Sequence, residues 1–217
     1  MLRNALSRLF LTLAALGLAG PVLAHPHVWV TAKAEIVYAP DGKVTAVRHA
    51  WTFDPAYSSY VTQGLDKNGD GVLTPGELQD LAEENAESLS DFGYFTVMKA
   101  NGAKPAFDAP RDYGMTFENG QATLAFLLPL KTPARADKAL ILEVYDPTFF
   151  VSFSMAEGAD AITLANAPKG CAATVTRPKP LDVAQQGQKL SEAFFQTLTA
   201  ASNFGAETAG RVLVACP

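Results

Sequence analysis

Residues 28–53 read VWVTAKAEIVYAPDGKVTAVRHAWTF. Two runs, 28–38 and 44–53, alternate apolar and polar side chains and flank Pro40-Asp41-Gly42-Lys43. Alternation of this kind marks half-buried strands, and Asp-Gly between two such runs signals a two-residue hairpin turn. With Asp41-Gly42 as the turn, Pro40 faces Lys43 and paired positions sum to 83. Ile36 then faces Val47, Ala32 faces Trp51 and Val30 faces Phe53, while Glu35 meets Arg48 on the opposite face. A slip of one residue would turn every side chain over, so the apolar match and the charge pair both specify this register. It puts His49 opposite Ala34 on the core face and Asp54 across from Trp29.

The hairpin leads backwards to the N-terminus. Arg3 and Arg8 precede an uncharged apolar stretch, Leu9 to Gly20, and Pro21-Val22-Leu23-Ala24 offers small residues at −3 and −1. This is the pattern of a secretory signal peptide over residues 1–24, cut before His25. The other reading is a membrane anchor, for which the apolar run is short. Cleavage leaves His25-Pro26-His27-Val28-Trp29 at the front of the domain, with no membrane insertion afterwards. Export implies an oxidising compartment such as a bacterial periplasm, where Cys171 and Cys216 read as one disulfide rather than two thiols.

A terminal amine titrates near pH 8, far below a lysine. On His25 the amine and the ring can chelate one metal together, and His27 adds a second imidazole. Such nitrogen ligands suit Zn2+, Ni2+, Co2+ or Cu2+, and ligand type alone does not choose among them. Pro26 lacks the amide N–H that a square-planar amino-terminal copper motif must lose, which leaves a histidine brace. The alternative is a frayed polar terminus. His49 sits seven residues along the strand from His27 in this register, roughly 24 Å at about 3.4 Å per residue, so it does not join the site. Asp54 and Asp146 are possible carboxylate partners; Asp146 equally suits an ordinary Asp-Pro turn.

Residues 66–77 carry the most specific motif. Asp66, Asn68, Asp70 and Glu77 occupy positions 1, 3, 5 and 12 of a calcium loop, with Gly71 at 6, the Val72 carbonyl at 7 and Thr74 at 9. Those slots require oxygen donors and one glycine for the sharp turn. A coincidental acidic turn is the competing explanation. Pro55–Leu65 can enter the loop as a helix, with Tyr57, Tyr60 and Val61 at helical spacing. Thr74 can cap a second helix reaching about Ser90, with Glu77 at its third position and Leu78, Leu81, Ala82 and Leu89 inward.

The remainder reads as scaffold. Strands are expected at 94–98, 113–117, 121–130, 139–145, 149–155, 162–164, 172–176 and 211–215, with a turn at Glu118-Asn119-Gly120 and the pair Phe149-Phe150 in the core. Leu181–Asn203 has an apolar helical stripe. The fold class is therefore α+β: one domain over 25–217, an antiparallel sheet or sandwich, an EF-hand-like helix-loop-helix inserted at about 55–90, and a C-terminal helix.

Composition agrees with a single core: 217 residues, 48% hydrophobic and 18% charged. The net charge of −5 speaks against nucleic acid. No nucleophile elbow, zincin helix, Walker loop or dinucleotide fingerprint occurs, no exposed aromatic platform is evident, and the chain reads as a non-enzyme.

His25-Pro26-His27-Val28-Trp29, Trp51-Thr52-Phe53-Asp54, the calcium-like loop and Tyr145-Asp146-Pro147-Thr148-Phe149-Phe150 together resemble a bacterial family of secreted proteins of unknown function. Its members are often labelled periplasmic components of uncharacterised ABC transport systems, beside nickel/cobalt or zinc transporters. The resemblance spans the mature chain. It implies a periplasmic metal-handling accessory, buffering metal or delivering it to an inner-membrane transporter. Two other functions stay open: a copper histidine-brace oxidative enzyme, and a structural or interaction module stabilised by calcium.

Overall fold

A computed structural model describes residues 26–177, 206 and 209–216. The expected leader at 1–24, His25 and the expected helix at Leu181–Asn203 lie outside the described residues. Among the described residues ten strands form two sheets.

Strand β1 (Val28–Tyr38) pairs antiparallel with β2 (Val44–Phe53) in the expected register. Val30 faces Phe53, Ala32 faces Trp51, Ala34 faces His49 and Glu35 faces Arg48. The turn itself differs. Gly42 N–H donates to the Ala39 carbonyl (2.9 Å) and Ala39 N–H to the Lys43 carbonyl (2.8 Å), so Pro40-Asp41-Gly42 forms a three-residue loop. Gly42 takes φ +76°, the left-handed position such loops need. That shifts Tyr38 onto Val44, and a bulge at Thr45 shifts the pairing back before Val37 meets Ala46.

Helix α1 (Pro55–Val61) follows, then α2 (Gln79–Ser88), and then a 3-10 stretch, Leu89–Phe95. Strands β3 (Thr96–Ala100), β4 (Arg111–Glu118), β5 (Gln121–Ala134), β6 (Leu140–Val144), β7 (Val151–Met155), β8 (Ile162–Ala165), β9 (Ala172–Thr176) and β10 (Arg211–Ala215) complete the chain. Each expected strand exists, with ends moved by a few residues. Both expected helices of the inserted unit are shorter: the first ends at Val61, and regular α-helix begins only at Gln79.

The first sheet runs β4-β5-β2-β1-β7, with β8 also on β1; the second runs β3-β6-β10-β9. The second is antiparallel, but the first is mixed, because β7 and β8 run parallel to β1. The expectation was an antiparallel sheet or sandwich with an ordinary turn at Asp146. Instead the Asp146 turn carries the chain from β6 in one sheet to β7 in the other. Strand β7 therefore cannot fold back on β6, and it docks beside β1 in the same direction.

Inward residues of the two sheets interdigitate. Trp51 is central, edge-on to Phe126 (4.8 Å) and Phe153 (5.0 Å), and Leu124, Leu128, Leu140 and Leu142 are fully enclosed. Each large side chain buried this way contributes about 1.5–3 kcal/mol. Helix α2 packs against β4 through Ala82 and Ala86, with Leu78 and Leu89 buried at its ends. The outward face of the first sheet is different. Ser154, Thr31, Thr52, Thr123 and Thr116 stand side by side across five adjacent strands. The Thr52 and Thr123 hydroxyls lie 2.9 Å apart.

Candidate functional site

Two places hold the residues singled out by sequence. The first is the end of the sandwich where β1 and β7 begin and β2 ends. His27 is exposed, its N–H donates to the Phe150 carbonyl (2.9 Å), and its ring lies 4.7 Å from the Phe150 ring. Asp54 lies across from Trp29, as the register predicts: Asp54 N–H donates to the Trp29 carbonyl (2.9 Å) and Asp54 Oδ2 accepts from Trp29 N–H (3.0 Å). Asp54 Oδ1 accepts from Ala56 and Tyr57 N–H (3.0 Å each), capping α1. Asp146 is buried and binds its own loop, accepting from Thr148 N–H (2.8 Å), the Thr148 hydroxyl (2.8 Å) and Val151 N–H (3.0 Å). The structure thus brings His27, Asp54 and the Asp146 loop to one end, with both carboxylates engaged by backbone amides.

Phe149-Phe150 is not wholly core. Phe149 is buried, at φ +57°, while Phe150 is 47% exposed. Trp29 on the same outward face is 53% exposed, so aromatic surface flanks His27 where the sequence reading expected none. Strand parity held the signal: Ser152 and Ser154 mark the outward face of β7, and Phe150 shares their phase.

His49 is placed as expected, in the core and apart from His27. It is fully buried, stacked on Phe126 (5.0 Å) and tilted against Trp51 (5.4 Å), with Nε2 3.4 Å from the Thr96 hydroxyl. Burial pushes its pKa down to about 3.

The second place is the loop at 66–77. Asp66 Oδ1 accepts from Gly69 N–H (2.7 Å) and Asp70 N–H (3.2 Å), and Oδ2 from Gly71 N–H (2.9 Å). Asn68 Oδ1 accepts from Asp70 N–H (2.9 Å), and Asp70 Oδ1 from Val72 N–H (2.8 Å). Gly69 and Gly71 take φ +72° and +79°, conformations that a β-carbon would penalise. Thr74 does not cap α2, whose N-cap position is Leu78, but it and Glu77 exchange paired bonds over the turn before it: Glu77 N–H donates to Thr74 Oγ1 (3.3 Å), and Glu77 Oε2 accepts from Thr74 N–H (3.0 Å). Glu77 Oε1 also accepts from Lys67 N–H (3.0 Å), at the other end of the loop. These bonds, the Thr74 amide first, hold the Glu77 carboxyl below the usual carboxylate range. The donor set fits calcium, which takes six to eight hard oxygens from side chains and carbonyls. Among the described residues no three His, Cys, Asp or Glu side chains gather as a metal centre. The loop carboxylates are turned onto amides instead.

Cys171 and Cys216 form the expected disulfide, at a Cα–Cα distance of 4.0 Å. It points to an oxidising, extracytoplasmic location. No helix among the described residues is long and apolar enough to cross a membrane. No curated protein matches the sequence. One family model, described as a protein of unknown function (DUF1007), matches residues 10–216.

Proposed function

The chain belongs to the DUF1007 family of proteins of unknown function, and from its own residues we propose that it is an extracytoplasmic metal-binding accessory protein. The 66–77 loop takes calcium through Asp66, Asn68, Asp70, the Val72 carbonyl, Thr74 and Glu77. The carrying observation is the arrangement around Asp66, which draws the N–H groups of Gly69, Asp70 and Gly71 inward and curls the loop about its first residue. Glu77 reaches back to Lys67 and bridges the two ends of the loop. At the other place His25 and His27 hold a transition metal, with Asp54 and Asp146 beside it, and pass it to an inner-membrane transporter. The shared location of His27, Asp54 and the Asp146 loop supports this part. A calcium-stabilised structural module is the second reading, favoured by the full engagement of Asp54 and Asp146 with backbone amides.

Two titrations test the proposal. Calcium at about 100 times its dissociation constant adds about 2.7 kcal/mol of stability, read as a higher Tm. Glu77→Gln should abolish that shift, because it removes the two-oxygen ligand at position 12. A Tm indifferent to calcium in the unaltered protein overturns the calcium site. Separately, the chain beginning at His25 should bind Ni2+, Zn2+ or Cu2+ more tightly than one carrying an extra N-terminal residue. Equal affinities leave the structural module.

A further inference from the structure

Five hydroxyl side chains cross the outward face of the first sheet in one row. The register sets Ser154 beside Thr31, Thr31 beside Thr52, Thr52 beside Thr123, and Thr123 beside Thr116. Neighbouring strands lie about 4.8 Å apart, so the row runs roughly 19 Å across the strands. Ser154, Thr31 and Thr116 are exposed, and Thr52 and Thr123 are half-buried. The Thr52–Thr123 contact (2.9 Å) engages one hydroxyl hydrogen. A hydroxyl has one donor and two acceptor sites, so that contact leaves further sites on both side chains.

The same register puts an aromatic ring next to the row. Trp29 precedes Thr31 by two residues on β1, so it shares that face, and it stands beside Ser152 of β7. Its side chain is 53% exposed. On the far side of the row Ala50, Ala125 and Gly114 lie in line on β2, β5 and β4, so the surface stays low there.

The charge pattern selects the occupant. The chain has a net charge of −5, yet the row holds no charged side chain. The charges that flank it are paired, Lys33 with Asp160 (2.6 Å) and Arg48 with Glu35 (3.3 Å). Both oxygens of Asp54 accept backbone amides. Glu118 stands apart, at the outer end of β4. A nucleic acid or an anionic lipid needs a basic face. Protein interfaces centre on aromatic, Met and Arg side chains and are poor in Ser and Ala. A flat line of neutral groups that both donate and accept, with one ring beside it, complements a flat neutral sugar chain. Equatorial hydroxyls of the sugars exchange hydrogen bonds with the row, and a sugar C–H face covers the indole. We propose that this face binds a neutral β-1,4-linked glycan, laid along the row from Ser154 to Thr116 with one sugar ring against Trp29. The site depends on neither metal, and its test uses none.

The chain beginning at His25 is titrated with cellohexaose, a neutral glucose hexamer of this linkage, and followed by calorimetry and amide NMR. Expected is saturable binding in the millimolar range or tighter, with shifted amides at Thr31, Thr52, Thr123 and Thr116 and none at Leu213. Trp29→Ala should weaken binding about tenfold, the loss of one covered ring. Thr31→Val and Thr116→Val keep the β-branched shape that suits a strand, and each should weaken binding about fivefold through one lost hydrogen bond. Leu213→Ser, on the second sheet, should leave binding unchanged, and thermal melting confirms that each variant is folded. Absence of saturable binding overturns the proposal. So does binding undiminished in both valine variants, which would leave the row a role in sheet stability alone. Tighter binding of the anionic galacturonate hexamer overturns it as well. Dimerisation that Trp29→Ala abolishes would also overturn it, assigning the face to a second copy of the chain.

Discussion

His49 is a neutral imidazole locked between two sheets, and its cost appears only in acid. Burial holds its folded pKa at about 3, below the ordinary imidazole value of 6.5. Between those values the unfolded chain takes up a proton that the folded chain refuses. Stability is therefore complete above about pH 6.5 and declines as pH falls toward 3, by up to about 1.4 kcal/mol per pH unit. His49→Phe, which keeps the stack on Phe126, should flatten this acid limb and change neutral stability by less than about 1.5 kcal/mol. Urea unfolding at pH 7 and pH 4.5 measures both; an acid limb unchanged in the variant would sink the assignment. The residue's role was legible in sequence, because the hairpin register alone separated it from His27 and turned it inward.

Asp54 joins two elements with one side chain. One oxygen caps α1 through Ala56 and Tyr57, and the other holds Trp29 N–H at the start of β1. Asp54→Ala should cost about 0.5–2 kcal/mol for the cap alone, and somewhat more for the lost strand contact. Chemical denaturation gives the total, and hydrogen exchange at Ala56, Tyr57 and Trp29 should accelerate together. Exchange raised in the helix but not at Trp29 would show that the two contacts are separate. At this scale the sequence was informative where pattern is local. The strand register emerged correctly although the turn did not, since the extra loop residue at Pro40-Asp41-Gly42 and the bulge at Thr45 offset each other. The tight curl of the 66–77 loop was legible because Asp66, Gly69 and Gly71 are residue types that such a turn demands. Strand direction was not legible: nothing in Val151–Met155 states that its neighbour is β1 rather than β6. That choice follows from which sheet the Asp146 turn feeds. Phe150 was misplaced for a related reason, because two adjacent phenylalanines look like core until the phase of the next strand is known.

At the scale of the molecule, the disulfide ties the start of β9 to the end of β10, just beyond the pair Ala172 and Ala215. It closes a separation of 45 residues, for which loop entropy gives about 4 kcal/mol. Reduction, or replacement of both cysteines by serine, should lower the Tm accordingly. A Tm insensitive to reductant would mean that strand pairing alone fixes the chain end.

The second sheet has a further property, set by the place of its last strand. Strand β10 lies between β6 and β9, so the final segment of the described chain is an interior member of the sheet and not an edge. Until residues 211–215 arrive, β6 and β9 have no common neighbour and the sandwich cannot close. Synthesis delivers residues 211–215 after every other described strand. The nascent chain is thereby kept from completing its fold while most of it is already made. If the chain is exported unfolded, this order of assembly leaves the closing of the second sheet, and the pairing of Cys171 with Cys216 at its edge, to the far side of the membrane.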